Sequence, residues 1–446
     1  MDLEQENINE KKNKRKLKKR KKKTDKPDAE RSIKIRIYPD VEQRKTLKKW
    51  VGVRRWVYNQ CLDRIRRNGN KVPSKKELRN WVINNENFQN ENQWMLEYNY
   101  DLRDEAMNDL LKNISSNIAK GKSFDINFKS VKQERSKGWS LSVLSKYWNQ
   151  SKGFYSNIFN SRKMKASQPL PKTLDYSSRL LKTPTGKYYL VIPLAKKPVI
   201  EKENDGSMIF IDPGCRNFIT GYDPEGNVII WGQNDISRIA RLLHYKNKMI
   251  SRKNKKGINA KKRNSLRKAI LKENEKIRDL ITDLHRKLAK WLCENYSTIF
   301  IPRLNFHKCK NLNKKSKEKI ATFRHCEFLE TLKMKSKEYT NTKVYEVNES
   351  FTSKTCSDCG FIKHDLGSSK VFNCDSCHVI LDRDINAAKN IMLRYFTLRA
   401  ILFFEIALRP SSLLSDLNSY ELEILISILD SSELRKNDDS DFVHKE

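Results

Sequence analysis

Four cysteines spaced Cys356-x2-Cys359, fourteen residues, then Cys374-x2-Cys377 constrain this chain more than any other feature. Each CxxC pair offers two thiolates on one tight turn, and two such knuckles close a tetrahedron around Zn²⁺. With sulfur at all four corners no position is left for water, so the expected single zinc is structural. A pair of disulfides is the competing reading. It is disfavoured because the other cysteines (Cys61, Cys215, Cys293, Cys309, Cys326) are scattered among apolar or basic neighbours, which suits a reducing compartment.

Charge narrows the class of partner. The 446 residues carry 91 Lys and Arg against 54 Asp and Glu, a net charge of +37, and such an excess repels itself unless it meets a polyanion. Nucleic acid is the expected partner. The chain has no apolar run of membrane-spanning length and its start lacks a signal-peptide core, so no membrane association is expected.

Along the chain, "KKNKRKLKKRKKK" (11–23) has almost nothing to bury and is expected to be disordered. In "SIKIRIYP" (32–39), Ile33, Ile35 and Ile37 alternate with basic residues, predicting a half-buried strand. The next segment sets Trp50, Val53, Val57, Cys61 and Ile65 on one helical stripe. Arg54, Arg55, Tyr58 and Asn59 fall outside that stripe and are candidates for phosphate and base contacts. Helical patterning continues to about residue 125 and strand signals return between 126 and 200. "SMIFIDPG" then reads as a buried strand with Asp212 at its end, followed by a hairpin turning at "DPEGN". A long basic helix is expected from about 258 to 296 on the stripe Ile277, Ile281, Leu284, Leu288, Leu292, with His285 beside it in a structural role. "STIFIPRL" is another buried strand, and "LDRDINAAKNIM" opens a helix with Asp384 near its first turn. The end, from about 397, is an apolar helix-like stretch with an acidic finish, expected to fold onto the body.

An aspartate at a strand end is often a turn, and one at a helix start is often a cap. In a basic protein the two together point to metal-dependent phosphodiester cleavage, in which carboxylates from separate elements converge on two Mg²⁺ ions about 4 Å apart. That chemistry normally takes a third carboxylate.

In order, "IRIYP…EQ", "VRRWVYN", "IDPG", "FTSKTCSDCG" and "LDRDINAAKNI" resemble the landmarks of the TnpB-type, RNA-guided nucleases, over about residues 33–395. The resemblance implies a multi-domain α+β protein: a RuvC-like core of RNase H fold (206–348 and 381–396) interrupted by a zinc-ribbon module (349–380). It further implies a wedge-like β-barrel domain (31–45 and 126–205) holding a helical recognition domain (46–125). A basic tail (1–30) and a helical, acidic tail (397–446) flank them. One landmark is broken. The family's second acidic motif is a strand ending in glutamate, but here "IFIPRL" has Pro302 in that place and Arg303 beside it.

The eukaryotic and viral Fanzor relatives are similar in this departure, taking their third carboxylate from just before the Thr-Ser of the zinc motif. Glu349 stands there. The resemblance therefore implies a catalytic set of Asp212, Glu349 and Asp384 holding two Mg²⁺, with one Zn²⁺ on Cys356, Cys359, Cys374 and Cys377. "KVYEVNES" (343–350) reads as a strand able to lie beside the Asp212 strand, and the local rival Glu346 falls on its opposite face. The partners implied are a structured, transposon-derived guide RNA and a target double-stranded DNA, bound by one protein copy. Arg54, Arg55, Tyr58 and Asn59 would lie near a short flanking motif. The basic tail fits a nucleus or a viral factory. Two other readings stand beside cleavage: an RNA-guided DNA-binding protein inactivated by Pro302, and a DNA transposase.

Overall fold

A computed structural model of the chain describes residues 31–121, 126–149, 153–154, 164–195, 199–304, 313–367 and 369–408, with 149, 153–154 and 401–408 as backbone alone. The basic tail, Cys309 and residues 409–446 lie outside the described residues. The chain divides into two compact units after residue 197.

The first unit is built on a five-stranded antiparallel sheet in the order β2-β4-β5-β1-β3. The strands are β1 (Arg31–Tyr38), β2 (Trp139–Val143), β3 (Lys165–Ala166), β4 (Ser178–Lys182) and β5 (Tyr188–Leu194). Ile35 and Ile37 of β1 point into the core as their alternation requires. Helix α1 (Val41–Arg67) starts at Val41, where Asp40 accepts from the Gln43 N–H at 2.8 Å and Gln43 accepts from the Asp40 N–H at 3.0 Å. This reciprocal cap satisfies two otherwise orphaned donors. Trp50 and Val51 at the front of α1 pack on the sheet. Val53, Val57, Cys61 and Ile65 instead pack against Ala106, Met107 and Leu110 of α2 (Tyr100–Ile118).

The second unit carries a mixed five-stranded sheet, order β8-β7-β6-β9-β10. Strands β6 (Met208–Pro213), β7 (Ile219–Tyr222) and β8 (Val228–Trp231) form an antiparallel meander. Strands β9 (Thr298–Pro302) and β10 (Lys343–Val347) extend it in parallel with β6. The 343–347 segment thus lies one strand further from Asp212 than its sequence suggested, because β9 takes the place between them. Parallel neighbours need long crossovers. The chain returns from the edge strand β8 to place β9 beside β6 through a helical hairpin, α3 (Gln233–Lys253) and α4 (Ala260–Asn295); the crossover from β9 to β10 includes α5 (Lys314–Phe323) and α6 (His325–Ser336).

Period-two alternation gives the two faces of this sheet different partners. Ile209, Ile211, Ile299 and Ile301 bury themselves with Ile277, Ile281, Leu284 and Leu288 of α4 and with Leu329 and Leu332 of α6. Phe210 and Phe300 face the other way, stacked 4.5 Å apart, and pack on Ile391 and Tyr395 of α7 (Arg383–Leu408). Among the described residues no helix is long and apolar enough to cross a membrane.

Candidate metal centre

Alternation on β6 sends Asp212 to the same side as Phe210, the side covered by α7. Asp384 is in the first turn of α7. The registers Phe210↔Phe300 and Pro302↔Val347 set Asp212, Pro302 and Val347 level at one edge, where three parallel strands end. Glu349 follows two residues beyond Val347 and, with Asp212, lines an open cavity of about 470 Å³. Pro302 is buried at this edge and offers no ligand atom. Glu346 goes to the opposite face, where Lys333 of α6 donates to it at 2.6 Å.

Burial, reinforced by the charges of Asp384 and Glu349, pushes the Asp212 carboxyl well above the usual carboxylate range. Asp384 is raised as well, chiefly by burial and against the pull of Arg216. The Arg216 guanidinium stands 3.9 Å from Asp384 and donates to the Ser369 carbonyl at 3.1 Å. Asp212 feels the charges of both Glu349 and Asp384, and an all-oxygen set is the kind a hard divalent cation takes, but among the described residues only the four cysteines are drawn together closely enough to hold one ion. By donor chemistry, three carboxylates suit Mg²⁺.

Next to this edge, the four cysteine sulfurs lie within 4.8 Å of one another. Cys359 and Cys374 are 3.5 Å apart, Cys356 and Cys377 3.7 Å. Those separations are far beyond a disulfide bond of about 2 Å, and close to the edge of about 3.8 Å that Zn–S bonds of about 2.3 Å imply for a tetrahedron. The backbone N–H of Cys377 helps hold the Cys374 thiol down to about 6, already disposed to ionise. Phe372, fully buried on the hairpin of β11 (Val371–Asn373) and β12 (Ile380–Asp382), floors the knuckle. The donor set fits a closed, structural zinc.

Two asparagines of α7 join the two centres. Asn386 accepts from the Ser357 N–H at 3.0 Å and donates to the Thr355 carbonyl at 2.8 Å. Asn390 donates to the carbonyls of Thr352 and Thr355 at 2.9 and 2.6 Å. Both are buried. They fasten the backbone running from Glu349 into the first knuckle onto the helix that begins with Asp384. Sequence reasoning missed these roles, and their signal was the i, i+4 spacing of Asn386 and Asn390 behind Asp384. It also missed buried His325, whose Nε2 meets the Gly214 carbonyl at 3.1 Å, just past Asp212. His285 is structural, its Nε2 against the Phe323 carbonyl at 2.9 Å.

The four residues of α1 proposed for nucleic-acid contact are placed otherwise. Arg54 and Tyr58 are buried, at 4% and 2% exposure, so they do not lie on an outward face. Arg54 binds Asp109 and the Ser140 carbonyl, and Arg55 pairs with Glu134. The Tyr58 hydroxyl accepts from Asn113, and Asn59 holds both backbone groups of Lys129. Short-range periodicity could not show this, because the partners come from 55 to 86 residues further along the chain.

Fold and site together define a class: an α+β protein whose mixed sheet ends in a carboxylate edge abutting a four-cysteine knuckle. Within it, the chain belongs to the TnpB-like family. It is 31% identical to a TnpB-like protein of Acanthamoeba polyphaga mimivirus over 81% of its own length and 72% of the relative's. A protein of Streptomyces pristinaespiralis, named provisionally as an RNA-guided DNA endonuclease, matches at 25% identity over 82% of this chain and 89% of that one. Residues 325–391 match the Cas12f1-like TNB domain and residues 29–70 a helix-turn-helix domain. A cryo-EM structure of a Cas12f1–sgRNA–target DNA complex aligns over 81% of this chain and 98% of that one, with 18% identity and a TM-score of 0.32.

Proposed function

We propose that this protein is an RNA-guided, Mg²⁺-dependent DNA endonuclease with a RuvC-like centre of Asp212, Glu349 and Asp384. The observation that carries the reading is the common edge: Asp212 and Glu349 open into one cavity, and the electrostatics of Asp212 register both Glu349 and Asp384. A meander extended by two parallel strands supports the RNase H reading, and the carboxyl ends of parallel strands are where such sheets hold ligands. The displaced glutamate, with Pro302 in the vacated position, favours the Fanzor branch, and the basic N-terminus favours work in a nucleus or viral factory.

A pair of Mg²⁺ ions held there would supply an activated water and a neutralised leaving oxygen. The chain's own residues do the rest. Asp212 and Asp384 supply negative charge from rigid elements, a strand end and a helix start. Glu349 completes the set from a loop pinned by Asn390. Arg216 balances the Asp384 charge and ties it to the zinc hairpin.

The polyanion contact falls mainly on the α3–α4 hairpin. Residues 248–272 hold eleven Lys and Arg, no acid and no aromatic. None of residues 260–274 is buried, so α4 extends about 22 Å beyond its packed part. Such a surface holds phosphates without reading bases, leaving specificity to guide–target pairing and a short flanking motif.

The test is cleavage of a target plasmid by the purified protein with its co-purifying RNA and Mg²⁺. Glu349→Gln and Asp384→Asn are expected to abolish cutting while Glu346→Gln leaves it intact. Unchanged cutting by Glu349→Gln overturns the assignment of Glu349. The buried Pro302 favours a second reading, guided binding without cleavage, which target retention without strand breaks in the unmutated protein would establish.

A further inference from the structure

The first unit contains a cavity of about 300 Å³ whose charged lining is Arg54, Arg55, Lys129, Lys137, Asp109 and Glu134. Its two carboxylates are already engaged: Asp109 by Arg54 and by Arg179 at 3.4 Å, Glu134 by Arg55. Lys129 is different. Its ammonium sits 3.7 Å over the face of Tyr58, and among the described residues no carboxylate stands within ion-pair distance of it; Asp109 and Glu134 attract it only from further off. Burial pulls it down to about 8. The chain nevertheless fixes it deliberately. Asn59 donates to the Lys129 carbonyl at 2.9 Å and accepts from its N–H at 2.8 Å, while Asn113 holds the Tyr58 hydroxyl at 3.1 Å.

A half-buried cation without a direct ion-pair partner costs stability, and the four cations of this lining outnumber its two carboxylates. A perturbed ionisable group lining a cleft is a candidate for a functional site. We propose that this cavity seats one backbone phosphate of nucleic acid, with the Lys129 ammonium as its charge partner. The inference rests on the nucleic-acid reading above and is separate from the cleavage centre. It also gives the four α1 residues a part: Arg54 and Arg55 line the pocket, Tyr58 and Asn59 position Lys129, and the lysine makes the contact. A phosphate contact of this kind is blind to sequence, so it would fix register on the nucleic acid rather than read a motif.

The experiment measures binding of the full-length protein to a short mixed-sequence DNA duplex and to an RNA hairpin, across a range of salt. Lys129→Met is expected to weaken binding of at least one probe about tenfold and to lower its salt slope by about one. Its melting temperature is expected to stay level or rise, which a merely structural lysine would not give. Lys129→Arg is expected to restore the slope. Unchanged affinity and slope for both probes, with the unmutated protein binding normally, overturns the phosphate seat and leaves the nuclease reading intact. If the unmutated protein binds neither probe, the nucleic-acid reading itself fails and this inference with it.

Discussion

The four-cysteine cluster and the carboxylate set proposed for the second unit are built in opposite ways. All four sulfurs come from 22 consecutive residues, Cys356 to Cys377, and enclose their site. The three proposed carboxylates come from a strand end, a loop and a helix start spread from 212 to 384, and two of them, Asp212 and Glu349, open onto a cavity. A local set can be rigid before the rest of the unit folds. A dispersed set is only as precise as the elements that carry it, so the closed site serves as the anchor of the open one. Asn386 and Asn390 are the material link, since each donates to a backbone carbonyl between Glu349 and the knuckle, Thr355 and Thr352.

Zinc removal should separate the two sets most sharply. Structural zinc contributes on the order of 10 kcal/mol to local folding. Chelation is therefore expected to abolish hydrogen-exchange protection across residues 350–380, and cleavage in excess Mg²⁺ should fall with it. Retained cleavage by zinc-free protein would show that the carboxylate edge stands without its anchor.

Returning a glutamate to the β9 edge tests the displacement itself. Pro302 is level with Asp212, on the same face as Phe300. Loss of the Glu349 carboxylate is expected to cost more than about a hundredfold in cleavage, beyond what removal of an outer-shell group usually costs. Adding Pro302→Glu to Glu349→Gln is expected to recover part of that loss, read as initial nicking rate. No recovery, from a double variant that still binds zinc, would mean that the edge no longer accepts a ligand from β9.

This contrast also explains what the sequence could show. The knuckle was legible because its chemistry is written in consecutive residues. Strands β6, β9 and β10 were legible as apolar runs, but their order was not: a run of Val, Tyr and Val at 344–347 carries no mark of which neighbour it pairs with. Asp212 and Asp384 had element ends to mark them, whereas Glu349 and Glu346 differed only by strand parity, which the Lys333 pair bears out for Glu346. On α1, charge was read as exposure, and Arg54 shows the failure: a guanidinium can be buried when Asp109 and a carbonyl wait for it.

Acid should weaken the carboxylate side through its histidines. His285 and His325 are buried neutral, each held down to about 4 mainly by desolvation. Unfolded histidine titrates near 6.5, so the unfolded chain takes up protons first as pH falls. Their contribution is fully present above pH 6.5 and is lost as pH drops from there towards 4, by up to about 3 kcal/mol each. Urea unfolding followed from pH 7.5 to 5 checks this. His325→Gln keeps a donor towards Gly214 without the titration and should flatten the slope, while any acid effect on the zinc knuckle persists in both proteins. An unchanged slope would place the acid sensitivity in the knuckle instead.

The smallest effect should come from the link. Asn390→Ala leaves the Thr352 carbonyl without its side-chain donor, at a cost of about 1–3 kcal/mol. If the asparagine only propped up the knuckle, zinc affinity would fall and the Mg²⁺ requirement would not move. If it positions Glu349, the Mg²⁺ concentration for half-maximal cleavage should rise about tenfold, as for other outer-shell changes, while zinc content stays complete. Asn390→Asp discriminates further: it keeps the shape, removes the donor and adds charge near the edge, so it should be at least as impaired as alanine. A normal Mg²⁺ requirement in both variants would make the open site independent of the closed one.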